Sequence, residues 1–132
     1  MANITLIDDD ENIVASVSLA LESHGHKFTA YHDRASGLAA LKSSPPDLAI
    51  LDVKMPRMDG LEVLQRIRAD ERLRRMPVVI LSSSREESDL VRSWNLGVNA
   101  YVVKPVDIDQ FFQAVKTLGT FWAVINETPV GD

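Results

Sequence analysis

Asp47-Leu48-Ala49-Ile50-Leu51-Asp52-Val53-Lys54-Met55-Pro56-Arg57-Met58-Asp59-Gly60 is the stretch whose reading decides the fold. Leu48 to Leu51 is apolar without polar alternation, the pattern of a strand covered on both faces, as in a parallel sheet. The run meets a carboxylate at Asp52, and a proline and a glycine then force the chain into a loop. An aspartate at the carboxyl end of a central parallel strand sits where open α/β sheets bind ligands and do chemistry. Asp52 taken alone also suits a turn or a helix cap, both common uses of aspartate.

Working outward, the same unit repeats. Ile4-Thr5-Leu6-Ile7 is a β-rich run ending in Asp8-Asp9-Asp10. Apolar positions from Ile13 to Leu21 suit a helix stopped near Gly25. Lys27 to Tyr31 is a second strand candidate, and Ala35 to Leu41 a small-residue helix closed by Ser43-Ser44-Pro45-Pro46. After Gly60, Leu61, Val63, Leu64 and Ile67 mark a helix running into a solvated charged end at Asp70 to Arg75. Pro77 to Leu81 is a fourth strand ending in Ser82-Ser83-Ser84, followed by a helix over Glu86 to Leu96 with Gly97 as its stop. Tyr101-Val102-Val103 is a fifth strand ending at Lys104-Pro105. Ile108, Phe111, Phe112, Val115 and Leu118 then carry the spacing of a buried helix face. Strand and helix alternate five times over short connections, which predicts an α/β doubly wound parallel sheet.

Bulk properties agree with one domain. The chain has 132 residues, enough for one core. Its formal net charge of −5 argues against nucleic acid as a partner. It has no cysteine, hence no disulfide or thiolate metal site. Nothing after Met1 reads as a signal peptide, and no apolar run reaches the roughly 20 residues of a membrane span. A cytoplasmic domain with no membrane partner is the expectation.

Four strands close on complementary chemistry: Asp8-Asp9, Asp52, Ser82 and Lys104. Parallel strands joined by right-handed crossovers bring these ends to one edge. Carboxylates meeting there repel, which raises at least one pKa, and a divalent cation relieves the repulsion. Hard oxygen ligands suit Mg²⁺. Lys104 offers a point charge for a phosphoryl oxygen and Ser82 a short hydroxyl donor, so the set describes a site for phosphoryl transfer. Plainer readings exist for each: Asp10 as a helix cap, Ser83 and Ser84 as a helix start, Lys104 as a surface lysine in a turn.

With these residues in order, the chain resembles a response-regulator receiver domain from about Ile4 to Leu118. The resemblance rests on the acidic pair, the central Asp52 followed by Met55-Pro56 and Asp59-Gly60, the strand-four hydroxyl and the Lys104-Pro105 pair. It implies a flavodoxin-like sheet of five strands in the order 2-1-3-4-5 with five helices. A receiver domain over 1–118 would be followed by a C-terminal extension over 119–132, packed on the domain or on a partner. It further implies that Asp52 accepts a phosphoryl group from a sensor histidine kinase. Mg²⁺ (or Mn²⁺) would be held by Asp9, Asp52 and the main-chain carbonyl of Lys54, with Asp8 acting through water. Lys104 would pair with the phosphoryl group, Ser82 would swing to it, and Tyr101 would rotate inward, although Tyr101 also reads as an ordinary strand aromatic. The bond before Pro105 would be cis. Serine stands where family members more often carry threonine, and Lys54 puts a long cation beside the site.

The second half narrows the likeness. Arg72 to Ser82, Ser93-Trp94-Asn95-Leu96-Gly97, Lys104 to Asp107 and Phe121-Trp122 are similar to regulators paired with phytochrome-type kinases. That similarity implies a homodimer through the fourth helix, fifth strand and fifth helix, with Trp94, Tyr101, Phe112, Phe121 and Trp122 as candidate surface residues. The first half is closer to receivers of transcription factors. The stretch after Leu118 is too short for a DNA-binding module, so the output is expected from the receiver itself. Two rival functions remain at this point. One is a haloacid-dehalogenase-type phosphatase with Asp8 as nucleophile and Asp10 as acid/base, although Asn12 and the lack of a cap insertion fit it poorly. The other is a docking module that works unphosphorylated. A flavin-binding fold fits less well, because the strand-end loops lack a phosphate cradle.

Overall fold

The computed structural model describes residues 3–23, 25–53 and 59–104. Nine elements follow one another: β1 (Asn3–Ile7), α1 (Glu11–Ser23), β2 (Lys27–Tyr31), α2 (Arg34–Ser43), β3 (Leu48–Val53), α3 (Asp59–Ala69), β4 (Val78–Ser82), α4 (Arg85–Ser93) and β5 (Ala100–Val103). The strands form one parallel sheet in the order β2-β1-β3-β4-β5. This is the expected doubly wound topology. The fifth helix, Pro105, Phe112, Phe121, Trp122 and the extension over 119–132 lie outside the described residues, as does Lys54.

Burial follows from position in the sheet. Every residue of β3 and β4 is buried, because each strand has a neighbour on both edges and cover on both faces. β2 lies at the edge and alternates between exposed and half-buried residues. Side chains two apart in a strand share a face. Ile4 and Leu6, Leu48 and Ile50, Val79 and Leu81, and Ala100 and Val102 therefore pack with Ile13 and Val17 of α1. The alternate set, with Ile7, Ala49, Leu51, Val53, Val78 and Ile80, packs with Leu64 and Ile67 of α3 and Val91 of α4.

Two boundaries differ from expectation. α3 ends at Ala69, and the charged stretch over 70–75 is a series of turns rather than a helix end. Leu73 is buried inside it, and the Asp70 carbonyl accepts from the amides of Leu73 and Arg74. α4 ends at Ser93, before Gly97, since Asn95 already adopts a left-handed backbone with φ 54°. Arg68, at the end of α3, holds this region together. It donates to the carbonyls of Leu96 (2.7 Å), Met76 (2.8 Å), Gly97 (2.9 Å) and Arg74 (3.0 Å). These bonds tie α3 to the chain entering β4 and β5, and burial draws the guanidinium pKa down.

Gly60, in the first turn of α3, lies directly against the backbone of Asp52. A Cβ there would overlap the Asp52 carbonyl and sit 2.7 Å from its carbon. Gly60→Ala is therefore expected to destabilise the protein by about 1–3 kcal/mol, the usual range for overpacking against a backbone that cannot yield. Urea unfolding of the variant against wild type checks this.

Candidate functional site

Alternation carries to the carboxyl ends of the strands and one residue beyond β1 and β5. Asp8 continues the series Ile4, Leu6; Asp52 continues Leu48, Ile50; Lys104 continues Ala100, Val102. All three therefore fall on the α1 side of the sheet at its carboxyl edge. Lys104 Nζ lies 2.9 Å from Asp52 Oδ1 and 3.2 Å from Asp8 Oδ2. Asp8 and Asp52 are 2% and 5% exposed, so these ion pairs sit in a low-dielectric setting rather than in open solvent. Asp9, next in the chain, is exposed, and oxygens of Asp8, Asp9 and Asp52 all lie within 4.8 Å of one another.

The backbone fixes these groups. Asp8 Oδ1 accepts from the Asp10 amide at 2.9 Å, which shapes the turn leaving β1 and aims Oδ2 at Lys104. Asp10 Oδ1 accepts from the amides of Asn12 (2.9 Å) and Ile13 (3.4 Å), so Asp10 is the cap of α1. That commitment leaves Asp10 poorly placed as the acid/base of a phosphatase. The Lys104 amide donates to the Ser82 carbonyl at 2.7 Å, extending the β4–β5 register by one residue and holding the lysine at the edge.

Charge explains the pKa shifts. Burial raises the Asp52 carboxyl from 3.8 to about 6; Lys104 opposes the rise and Asp8 adds to it. Burial alone would lower Lys104, but Asp52 and Asp8 outweigh it and the net shift is upward. Three carboxylates gathered at one edge of the sheet make an acidic cleft, chemistry that suits a divalent cation. A cleft of ≈ 40 Å³ opens beside them, with His32, Arg34 and Gly60 in its other walls. At 10–15 Å³ per water-sized group, it has room for about three such groups. An all-oxygen donor set in such a cleft fits Mg²⁺ or Mn²⁺, which keep waters in their coordination shell.

Ser82 shares this edge but not this cluster. Its register partners are Val53 and Val103, on the opposite face from Asp52. Its hydroxyl lies 2.6 Å from that of Ser88 on α4, and both residues are buried. Ser84 caps α4 by accepting from the Glu87 amide at 3.2 Å, and Glu87 accepts in return from the Ser83 amide at 2.6 Å. Tyr101, on the same face as Ser82, lies under the guanidinium of Arg92, whose carbon is 4.2 Å from the ring centroid. Burial pushes the Tyr101 phenol up and Arg92 opposes it. Trp94 is half exposed at the end of α4. Sequence reasoning placed neither Ser88 nor Arg92 at these switch candidates. Their four-residue spacing on one helix was the available signal.

Asp52→Asn is expected to stabilise the protein at neutral pH. The folded chain keeps the Asp52 proton up to about pH 6, whereas the unfolded chain releases it near 3.8. Between these values the native state binds more protons, so stability falls as pH rises, and the full cost is present above pH 6. The variant should gain about 1–2 kcal/mol at pH 7.5, or about 3–6 °C in thermal midpoint. The gain should shrink as pH falls from 6 to 4 in a calorimetric series.

The response regulator receiver domain family matches residues 4–116. The bacteriophytochrome response regulator RtBRR superposes with a TM-score of 0.83 and 43% identity, over 99% of this chain and 86% of that one. The phosphorylated cyanobacterial phytochrome response regulator RcpA gives a TM-score of 0.73 at 35% identity, over 92% and 94% of the two chains. Response regulator Rcp1 of Synechocystis sp. is 33% identical over 129 residues, covering 90% of this chain and 87% of Rcp1. The Mn²⁺-bound structure of Rcp1 superposes with a TM-score of 0.73. Against several transcriptional regulators that it also matches, the chain spans about half their length.

Proposed function

The chain belongs to the response regulator receiver domain family, and from that premise we propose that it takes a phosphoryl group onto Asp52 from a sensor histidine kinase. The observation that carries this is the buried Asp52 carboxylate held 2.9 Å from Lys104 beside Asp8 and Asp9. An Asp52 oxygen attacks the phosphorus of the kinase phosphohistidine. One O–P bond forms, one N–P bond breaks, and the leaving imidazole nitrogen takes up a proton. Asp9 and Asp52 would hold Mg²⁺ or Mn²⁺, with Asp8 reaching it through water and Lys54 through its main-chain carbonyl; when bound, the cation neutralises charge on the phosphoryl oxygens. Lys104 shifts from the Asp52 carboxylate to a phosphoryl oxygen and so keeps a counter-charge throughout.

The protein then acts as a phospho-accepting signalling domain rather than a turnover enzyme. Its output is a change in the surface of α4, β5 and the following helix as Ser82 turns to the phosphoryl group and Tyr101 moves inward. Trp94 and Tyr101, with Phe112, Phe121 and Trp122, form the proposed homodimer surface. Similarity to RtBRR and RcpA supports a phytochrome-type kinase as the cytoplasmic donor.

Acetyl phosphate with millimolar Mg²⁺ should add the mass of one phosphoryl group, mapped to Asp52 by tandem mass spectrometry. Chelation of the metal should abolish the addition, Asp52→Asn should show none, and Asp9→Asn should slow it by about tenfold or more. No mass gain from any donor, with Asp52→Asn fully active in cells, would instead establish the docking module.

A further inference from the structure

Ser82 ends β4 and Tyr101 lies within the neighbouring β5, and each is held by α4. Ser88 and Arg92 stand four residues apart, hence one above the other on one face of that helix. Ser88 lies 2.6 Å from the Ser82 hydroxyl, and Arg92 covers the Tyr101 ring at 4.2 Å. A serine hydroxyl has a single proton to donate. Ser88 Oγ also lies 3.4 Å from the Ser84 carbonyl, so a Ser88 proton turned there leaves Ser82 donating to Ser88. In that arrangement the Ser82 proton is unavailable to a phosphoryl oxygen until the hydroxyl pair parts. The start of α4 is itself fixed by two bonds: the Glu87 amide donates to Ser84 Oγ, and the Glu87 carboxylate accepts from the Ser83 amide.

We propose that Ser88 and Arg92 are positioning residues that clamp the resting state, holding on α4 the two side chains that must leave it when Asp52 is phosphorylated. The inference rests on the reading of Asp52 as phospho-acceptor. It adds a route for the signal: as Ser82 leaves Ser88 and Tyr101 leaves Arg92, α4 loses two ties to the sheet together. Release of α4, rather than a push from the phosphoryl group, then alters the surface.

The test uses beryllium fluoride with Mg²⁺ as the phosphoryl mimic, titrated calorimetrically into the full chain. Ser88→Ala should bind the mimic roughly three- to tenfold more tightly than wild type, since one buried hydrogen bond is lost from the resting state alone. Arg92→Ala, at an exposed position, should bind roughly two- to fivefold more tightly, and Arg92→Lys should fall between it and wild type. In a Ser82→Ala background, the Ser88→Ala effect should vanish, because its partner is gone. Wild-type affinity in both Ser88→Ala and Arg92→Ala would overturn the clamp. So would a Ser88→Ala effect undiminished in the Ser82→Ala background, which marks a general packing change. If Ser88→Ala fails to fold, the Arg92 pair of variants decides. A wild-type protein that takes up no mimic overturns the phospho-acceptor reading itself, and the clamp with it.

Discussion

The Lys104 ammonium set between the Asp8 and Asp52 carboxylates is the contact on which the rest of this edge depends. Two buried acids so close could not both ionise without a counter-charge, and one lysine offsets only part of three acids. The acidic cluster stands at the edge of a largely aliphatic core. Burial raises Asp52 to about 6 because the surrounding strands, not a neighbouring ligand, exclude water from it. The site is an acidic edge of the core with the chemistry to receive a cation.

Strand alternation divides labour between the two faces. Asp8, Asp52 and Lys104 continue the face covered by α1, while Ser82 and Tyr101 belong to the face covered by α3 and α4. Chemistry and response are thus separated by the thickness of one sheet and meet only at its carboxyl edge. The Lys104 amide bonded to the Ser82 carbonyl fixes the register between the two at that edge. Gly60, pressed against the Asp52 backbone, leaves no slack behind the acceptor.

Much of this was legible in the sequence. The uninterrupted runs Leu48–Leu51 and Val78–Leu81 announced central parallel strands, because a strand covered on both faces has no need of alternation. Asp8, Asp52 and Lys104 were legible because each is the charged residue that closes a strand-like run. Asp10 and Ser84 read correctly as helix caps, which are local hydrogen bonds. Arg68 was not legible. It stands in a charge-rich stretch that looks like solvated surface, and its carbonyl partners lie up to 29 residues away. The end of α3 was missed for a related reason, since Leu73 is buried by tertiary packing that periodicity does not register. The contact of Ser82 with Ser88 was not legible, because it depends on how α4 sits on the sheet.

The central claim is that the acids of β1 and β3 and the lysine after β5 form one cation-dependent phosphoryl site. Titration of paramagnetic Mn²⁺ into the uniformly labelled protein, followed by amide NMR, tests it most directly. Line broadening should begin at residues 8–10 and 52–53, spread next to 82–83 and 104, and leave residues 95–99 at the opposite end of the sheet sharp. Broadening centred elsewhere, or spread evenly over the acidic surface, would contradict the account.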